Sequence, residues 1–164
     1  MRGGVIDYGV GNLGSVMRAL EELRVTPVLV TRATDMHIAD SLILPGVGNF
    51  ADCARLLDEE GWTQALRDEV QIAGKPLLGI CLGMQLLATN SMEGAAANAA
   101  NGTAGLGFIP GRVENLRTLG CSLGIEHSKL YWEIVLFNAI NHLLINICLC
   151  NTQTRKPHKQ QYDR

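Results

Sequence analysis

The sequence predicts an α/β fold built on a mainly parallel sheet with helices on both faces. Short apolar runs alternate with segments of helical periodicity along the first ninety residues, and this alternation is typical of βαβ units. Glycine, proline or polar residues end the runs, as expected at turns. The fourth run ends in a cysteine flanked by glycines, a spacing typical of a strand that passes directly into a helix.

The predicted elements alternate along the chain. Strands are expected at residues 4–7, 27–31, 41–44 and 76–80, and helices after the glycine-rich turn 8–14, over 50–60, over 62–73 and over 84–89. Pro45 and Gly46 are expected to stop the third strand. Residues 90–107 are rich in Ala, Gly and Asn and predict a loop, and residues 108–116 predict the start of another strand.

Composition narrows the classes of partner and compartment. The 164 residues carry a net charge of −2 without a long basic run, which argues against a nucleic-acid partner. The five cysteines have neither the spacing of a disulfide framework nor that of a zinc site, so no metal and no cofactor are expected. Met1 leads directly into a strand-like segment without a signal peptide, and a cytoplasmic location is expected.

The segment Gly79-Ile80-Cys81-Leu82-Gly83 follows a buried run and precedes a helical one. This pattern predicts a nucleophile elbow, in which a sharp strand-to-helix turn lifts Cys81 out of the sheet. Glycine is needed on both sides because a larger side chain would clash there. The helix start favours the thiolate, and the N–H of Leu82 faces a developing oxyanion. The alternative is a core cysteine beside a plain glycine turn.

Two other glycine-rich turns end predicted strands. Val47 and Gly48 follow the third strand at the same edge as Cys81, where they can supply the other half of an oxyanion hole, although a plain connection explains them as well. Gly9, Gly11 and Gly14 follow the first strand with dinucleotide-site spacing, but no acidic residue clearly follows the second strand as such a site requires.

Together these motifs resemble the class I glutamine amidotransferases. Within that class they are most similar to the glutaminases of histidine biosynthesis that serve imidazole glycerol phosphate synthase. The resemblance covers about residues 4–117 and rests on the segments at residues 6–13, 44–50, 75–87, 105–107 and 110–113. It implies a three-layer, flavodoxin-like fold with an incomplete C-terminal third, and an enzyme that hydrolyses glutamine to glutamate and ammonia. It also implies a (β/α)₈-barrel cyclase as the partner that receives the ammonia.

The resemblance assigns roles to individual residues. Cys81 is the nucleophile, and Leu82 with Val47 or Gly48 forms the oxyanion hole. Gln85 and Glu93 match positions that hold the substrate glutamine. Glu93 is also explained as an ordinary exposed loop residue, because residues 91–94 match the family's acidic stretch only in part.

The family's His-Pro-Glu segment, which supplies the base of the catalytic triad, does not occur in this sequence. Among the four histidines, His127 follows a glutamate in the wrong order, and His37, His142 and His158 are in contexts that do not suggest a base. A cysteine nucleophile needs such a base, so the chain is expected to be inactive as written. The alternative is a scaffold that binds glutamine or docks on the cyclase without turnover.

Residues 118–164 form a second predicted unit without family resemblance, apolar first and then polar and disordered. The apolar stretch 130–150 is long enough for a membrane anchor. Glu133, His142 and three asparagines within it would be costly in hydrocarbon, so a membrane location is disfavoured and a peripheral or buried helix, or a non-native tail, is expected.

Overall fold

The structure, a computed structural model, describes residues 1–95 and 100–114, and the backbone of two strands at 132–138 and 143–149. In chain order the elements are β1 Arg2–Ile6, α1 Leu13–Glu22, β2 Thr26–Val30, a 3₁₀ helix Ala33–Ile38, β3 Ser41–Gly46, α2 Phe50–Glu59, α3 Trp62–Arg67, a π-helical turn Asp68–Ile72, β4 Leu77–Cys81, α4 Leu82–Gln85, β5 Ala88–Ser91, β6 Thr103–Ala104, β7 Ile109–Val113, β8 Trp132–Asn138 and β9 Leu143–Leu149.

The first four strands form a parallel sheet in the order β2-β1-β3-β4. This is the flavodoxin-like order, in which ligands bind beyond the carboxyl ends of the strands. The predicted α/β fold with a parallel sheet is therefore confirmed, and all four predicted strands are present within two residues of their expected bounds.

Helices cover both faces of this sheet. A Cβ added to Gly3 would lie 3.2 Å from a methyl group of Leu20 in α1, whereas a Cβ on Gly4 would lie 2.6 Å from Ala39 after the 3₁₀ helix. Because successive residues of a strand point to opposite faces, α1 covers one face. The main core fills the other, and its largest buried side chains include Ile6, Met36, Leu44, Phe50, Trp62 and Leu66.

Two predictions around the first sheet need correction. The strand β3 does not stop at Pro45, since it continues through Gly46 in register with β4. A proline removes a single N–H from the ladder, and this loss does not end the pairing here. The helix predicted over residues 62–73 is present, but α3 ends at Arg67 and the next turn is π-helical.

A second sheet, in the order β6-β5-β7, lies after the predicted elbow. The helix expected over residues 84–89 is wrong, because α4 ends at Gln85 and Ala88–Ser91 is the strand β5. The expected loop 90–107 likewise contains β6, and β7 confirms the strand predicted near residue 108. Local periodicity missed β5 because both of its partners come later in the chain.

The apolar stretch 130–150 contains the strands β8 and β9, so the expected helix is wrong there. These strands pair with each other, and β8 pairs antiparallel with β4. The edge of β4 is therefore covered by β8. Among the described helices, none is long and apolar enough to cross a membrane. The boundary predicted at residue 117 and the tail predicted to be disordered lie outside the described residues.

Candidate functional site

Cys81 and the loop of residues 45–48 meet at the carboxyl edge of the parallel sheet. The last residue of β3, Gly46, is paired in register with Cys81, the last residue of β4. Val47 is the next residue of the chain and leaves the sheet beside Cys81. The parallel pairing thus brings together two motifs that are more than thirty residues apart in the sequence.

Cys81 has the backbone conformation of a strained elbow. Its φ of 56° and ψ of −121° lie in a region that residues with a Cβ seldom adopt, and such conformations cluster at functional sites. Its side chain is half-buried, whereas Cys53 is 1% exposed. Cys81 is therefore a strained and accessible thiol at the end of a central strand.

The glycines on either side of Cys81 are required by close backbone contacts. A Cβ on Gly79 would lie 2.5 Å from the Cα of Met84, and a Cβ on Gly83 would overlap the carbonyl oxygen of Leu44. A Cβ on Gly46 would in turn lie 2.5 Å from the backbone nitrogen of Gly83. These contacts hold the start of α4 against the ends of β3 and β4, as the spacing predicted.

The helix α4 is a single turn that begins at Leu82, so its dipole is much smaller than that of the helix expected there. The N–H of Leu82 is at the first helical position and has no acceptor within the helix. Gln85 is the last residue of this turn, four residues after Cys81. Its Oε1 is buried without a hydrogen-bond partner among the described residues, as expected of a group that awaits a ligand donor.

The segment of residues 45–48, here called the oxyanion loop after the role predicted for it, joins the last two residues of β3 to α2. Val47 is 48% exposed, and Gly48 has a φ of 102° with open space where a Cβ would be. Asn49 caps α2 by accepting hydrogen bonds from the N–H groups of Ala51 and Asp52, at 2.9 and 3.4 Å. The cap fixes the far end of the loop, and an asparagine directly before a helix is a local signal for it.

Glu93 is exposed in the turn after β5, and its N–H donates to Ser91 Oγ at 3.0 Å. The next residue, Gly94, lies so close to Asn49 that a Cβ on it would be 2.6 Å from Nδ2. The structure therefore brings the turn that carries Glu93 against the cap that follows the oxyanion loop.

Among the described residues, His37 is the single histidine, and it lies away from Cys81. Its Nδ1 is paired with the carbonyl oxygen of Thr34 at 2.8 Å. The adjacent Met36 accepts a hydrogen bond from Lys75, which precedes β4. His37 is thus toward the amino edge of the sheet, opposite Cys81. The other three histidines lie outside the described residues.

Two side chains that sequence reasoning missed contact the oxyanion loop. The hydroxyl of Tyr8 donates a hydrogen bond to the carbonyl oxygen of Pro45 at 2.9 Å. The thiol of Cys53 donates one to the carbonyl oxygen of Val47 at 3.4 Å. Burial raises the pKa of Tyr8 far above its usual value and also raises the pKa of Cys53, so both groups keep their protons at neutral pH. Tyr8 lies 37 residues from Pro45, a separation at which the sequence carries no signal.

A cavity of about 290 Å³ lies between α2, α3 and residues 103–106, with Arg55, Asp58, Thr63 and Arg67 in its wall. None of the predicted site residues lines it.

In the described part of the chain, no three His, Cys, Asp or Glu side chains are grouped as metal ligands would be.

Comparison with known proteins identifies the family. The model of the family "Glutamine amidotransferase class-I" matches residues 4–135. The imidazole glycerol phosphate synthase subunit HisH of Halalkalibacterium halodurans is 43% identical over 145 residues, which cover 87% of this chain and 64% of that protein. The subunit HisH 1 of Campylobacter jejuni is 36% identical over 142 residues, which cover 84% of this chain and 68% of that protein.

A crystal structure of a glutamine amidotransferase has the same fold, with a TM-score of 0.53 and 24% identity, over 64% of this chain and 51% of the other. The chain covers 64% of the length of the H. halodurans relative, which is less than two thirds. Because the family model covers most of the sequence, from residue 4 to residue 135, the chain belongs to the class I glutamine amidotransferases.

Proposed function

We propose that residues 1–114 form the nucleophile half of a glutaminase site, with Cys81 as the nucleophile and glutamine as the substrate. The observation that carries the proposal is the register pair of Gly46 and Cys81. It supports an arrangement in which the N–H of Leu82 and an N–H of Val47 or Gly48 flank the sulfur, as an oxyanion hole requires.

In the proposed reaction the thiolate of Cys81 attacks the side-chain amide carbon of glutamine. The S–C bond forms, the carbonyl oxygen becomes an oxyanion, and the C–N bond then breaks with transfer of a proton to the leaving ammonia. Water afterwards hydrolyses the thioester to glutamate. The buried, unpaired Oε1 of Gln85 accepts a hydrogen bond from the substrate ammonium group, and Glu93 contributes a negative charge nearby.

The proton needed by the leaving ammonia has no identified source in the described residues. His37 is toward the other edge of the sheet, and the sequence lacks a His-Pro-Glu segment. Loss of general acid–base assistance typically lowers a rate by roughly 10²–10⁴-fold. We therefore propose that the 164-residue chain alone turns glutamine over very slowly.

The absence of a His-Pro-Glu segment from the sequence favours a second candidate function, in which the chain binds glutamine or docks on a partner without turnover. The relatives are subunits of imidazole glycerol phosphate synthase by name. On that basis we propose a (β/α)₈-barrel cyclase as the partner in either case.

The test of the proposal is covalent labelling by 6-diazo-5-oxonorleucine, an electrophile shaped like glutamine. Peptide mass spectrometry should find the label on Cys81, and L-glutamine should protect this residue while D-glutamine should not. Labelling that L-glutamine fails to slow, or that is spread equally over Cys53 and Cys81, contradicts the proposed substrate site. Co-purification with a cyclase separately tests the partner.

A further inference from the structure

The oxyanion loop accepts two hydrogen bonds from buried side chains that the proposed reaction does not use. Tyr8 and Cys53, each 1% exposed, donate to the carbonyl oxygens of Pro45 and Val47. The donors come from separate elements, since Tyr8 is in the turn after β1 and Cys53 is in α2. They therefore attach the carbonyl oxygens of residues 45 and 47 to side chains from two different elements of one core cluster.

The geometry of the peptide group gives these bonds a consequence for the loop N–H groups. A trans peptide is planar, and its C=O and N–H point in opposite directions. The carbonyl of Val47 and the N–H of Gly48 belong to one peptide group, so the bond from Cys53 directs that N–H away from Cys53. The bond from Tyr8 fixes the peptide group of Pro45 and Gly46. The intervening group, which carries the N–H of Val47, lies between these two bonded groups.

The pairing of β3 with β4 holds the start of the loop, and the Asn49 cap holds its far end, but residues 47 and 48 between them have few contacts of their own. Gly46 and Gly48 lack side chains, and Val47 is 48% exposed. Gly48 has no atom within 4 Å of its Cβ position, so it is free to change conformation. The turn after β1 supports Pro45 further, because a Cβ on Gly11 would lie 3.1 Å from the Cβ of Pro45.

We propose that Tyr8 and Cys53 are positioning residues that hold the oxyanion loop with its N–H groups directed at the carbonyl oxygen of a substrate on Cys81. This inference rests on the proposed function. Neither side chain touches the reacting atoms, so both act through the loop. Loss of either donor leaves Cys81 in place but lets the loop N–H groups turn away from the oxyanion.

The experiment compares two reagents on Cys81 of the full chain. γ-Glutamyl-p-nitroanilide acylates the sulfur: the S–C bond forms, the C–N bond breaks, and p-nitroaniline leaves with a proton from water. Its carbonyl oxygen passes through an oxyanion. Iodoacetamide alkylates the same sulfur by displacing iodide, without an oxyanion. The ratio of the two rates, followed by mass spectrometry of the Cys81 peptide, measures the contribution of the oxyanion hole alone.

Tyr8→Phe and Cys53→Ala should each lower the acylation rate about tenfold, less than the roughly 10²–10³-fold lost with an entire oxyanion donor. Alkylation and the half-saturating concentration of the anilide should not change. Cys53→Ser keeps a donor and should restore acylation. Trp62→Phe is the matched control, because it removes a donor to Glu60 from the same core and should change neither rate.

Unchanged acylation in both variants, or an equal fall of both rates, overturns the positioning role while the proposed function stands. Absence of acylation at Cys81 in the unmodified chain, with normal alkylation, sinks the proposed function and this inference with it.

Discussion

The α-carbon of Gly83 faces the carbonyl oxygen of Leu44 so closely that a Cβ would overlap it. This contact joins the start of α4 to β3 and thereby sets the distance between Cys81 and the oxyanion loop. A side chain at residue 83 must push these two elements apart.

Gly83→Ala should therefore destabilise the fold by about 1–3 kcal/mol, the usual cost of overpacking. It should also slow labelling of Cys81 by the glutamine-like electrophile. Gly14→Ala is the matched control, since Gly14 lies in α1 with open space at its Cβ position, and alanine there should stabilise by about 0.5–1 kcal/mol. Urea unfolding of both variants measures the difference. Equal stability of the two would mean that the Gly83 contact is easily relieved.

The left-handed conformation of Cys81, with φ 56°, predicts an unusual order of stability among its variants. Cys81→Ala keeps the backbone strain, whereas Cys81→Gly relieves it. After allowance for the entropy of glycine, Cys81→Gly should be more stable than Cys81→Ala by about 1 kcal/mol. Thermal unfolding of the two proteins tests this. If Cys81→Ala is the more stable, the elbow is unstrained in solution.

Cys53 and Cys81 should differ in reactivity toward a small alkylating reagent. Cys53 is 1% exposed, and burial raises its pKa, so at neutral pH it stays a protonated, shielded thiol. Modification of Cys53 should become measurable only as the pH rises toward its raised pKa, whereas Cys81 should react at neutral pH. Time courses at several pH values, read by peptide mass spectrometry, give both rates. Comparable rates at neutral pH are incompatible with the described burial of Cys53.

Replacement of Gln85 by an apolar residue should stabilise the fold but weaken the binding of glutamine. The buried Oε1 of Gln85 lacks a partner in the described structure, and an unpaired buried polar group costs about 1–3 kcal/mol. Gln85→Leu, similar in size but apolar, should therefore raise the melting temperature while it weakens protection of Cys81 by L-glutamine. Gln64→Leu is the control, because Gln64 is exposed in α3 and bonded to Asp68, and glutamine protection should persist in it. A destabilised Gln85→Leu that retains protection would contradict a substrate role.

The sequence predicted those parts of the site whose signals are local. The elbow at Cys81 was found because the steric demands of a strand-to-helix turn involve neighbouring residues. The parallel sheet followed from the alternation of strands and helices. The strand β5 was missed, and a helix was predicted in its place, because its hydrogen-bond partners follow more than ten residues later.

Contacts between distant residues were not predictable from the sequence alone. The bond from Tyr8 to Pro45 joins residues 37 positions apart, and no periodicity records such a contact. The prediction that Pro45 ends the third strand was wrong for a related reason. The missing N–H of Pro45 is a local property, but whether β3 continues depends on its pairing with β4. The roles of Cys81, Val47, Gly48, Leu82, Gln85 and Glu93 in catalysis or binding stay predictions.

Ammonia release from glutamine tests most directly the central claim that this chain carries a glutaminase nucleophile without its base. Four proteins are compared: the 164-residue chain, a chimera in which a family-like C-terminal third with a His-Pro-Glu strand follows residue 117, and the Cys81→Ala variant of each. The chimera should release ammonia and lose this activity with Cys81→Ala, while the 164-residue chain should be slower by roughly 10²–10⁴-fold. Release by the 164-residue chain at a rate close to that of the chimera, abolished by Cys81→Ala, would contradict the account and make His127 the first residue to substitute.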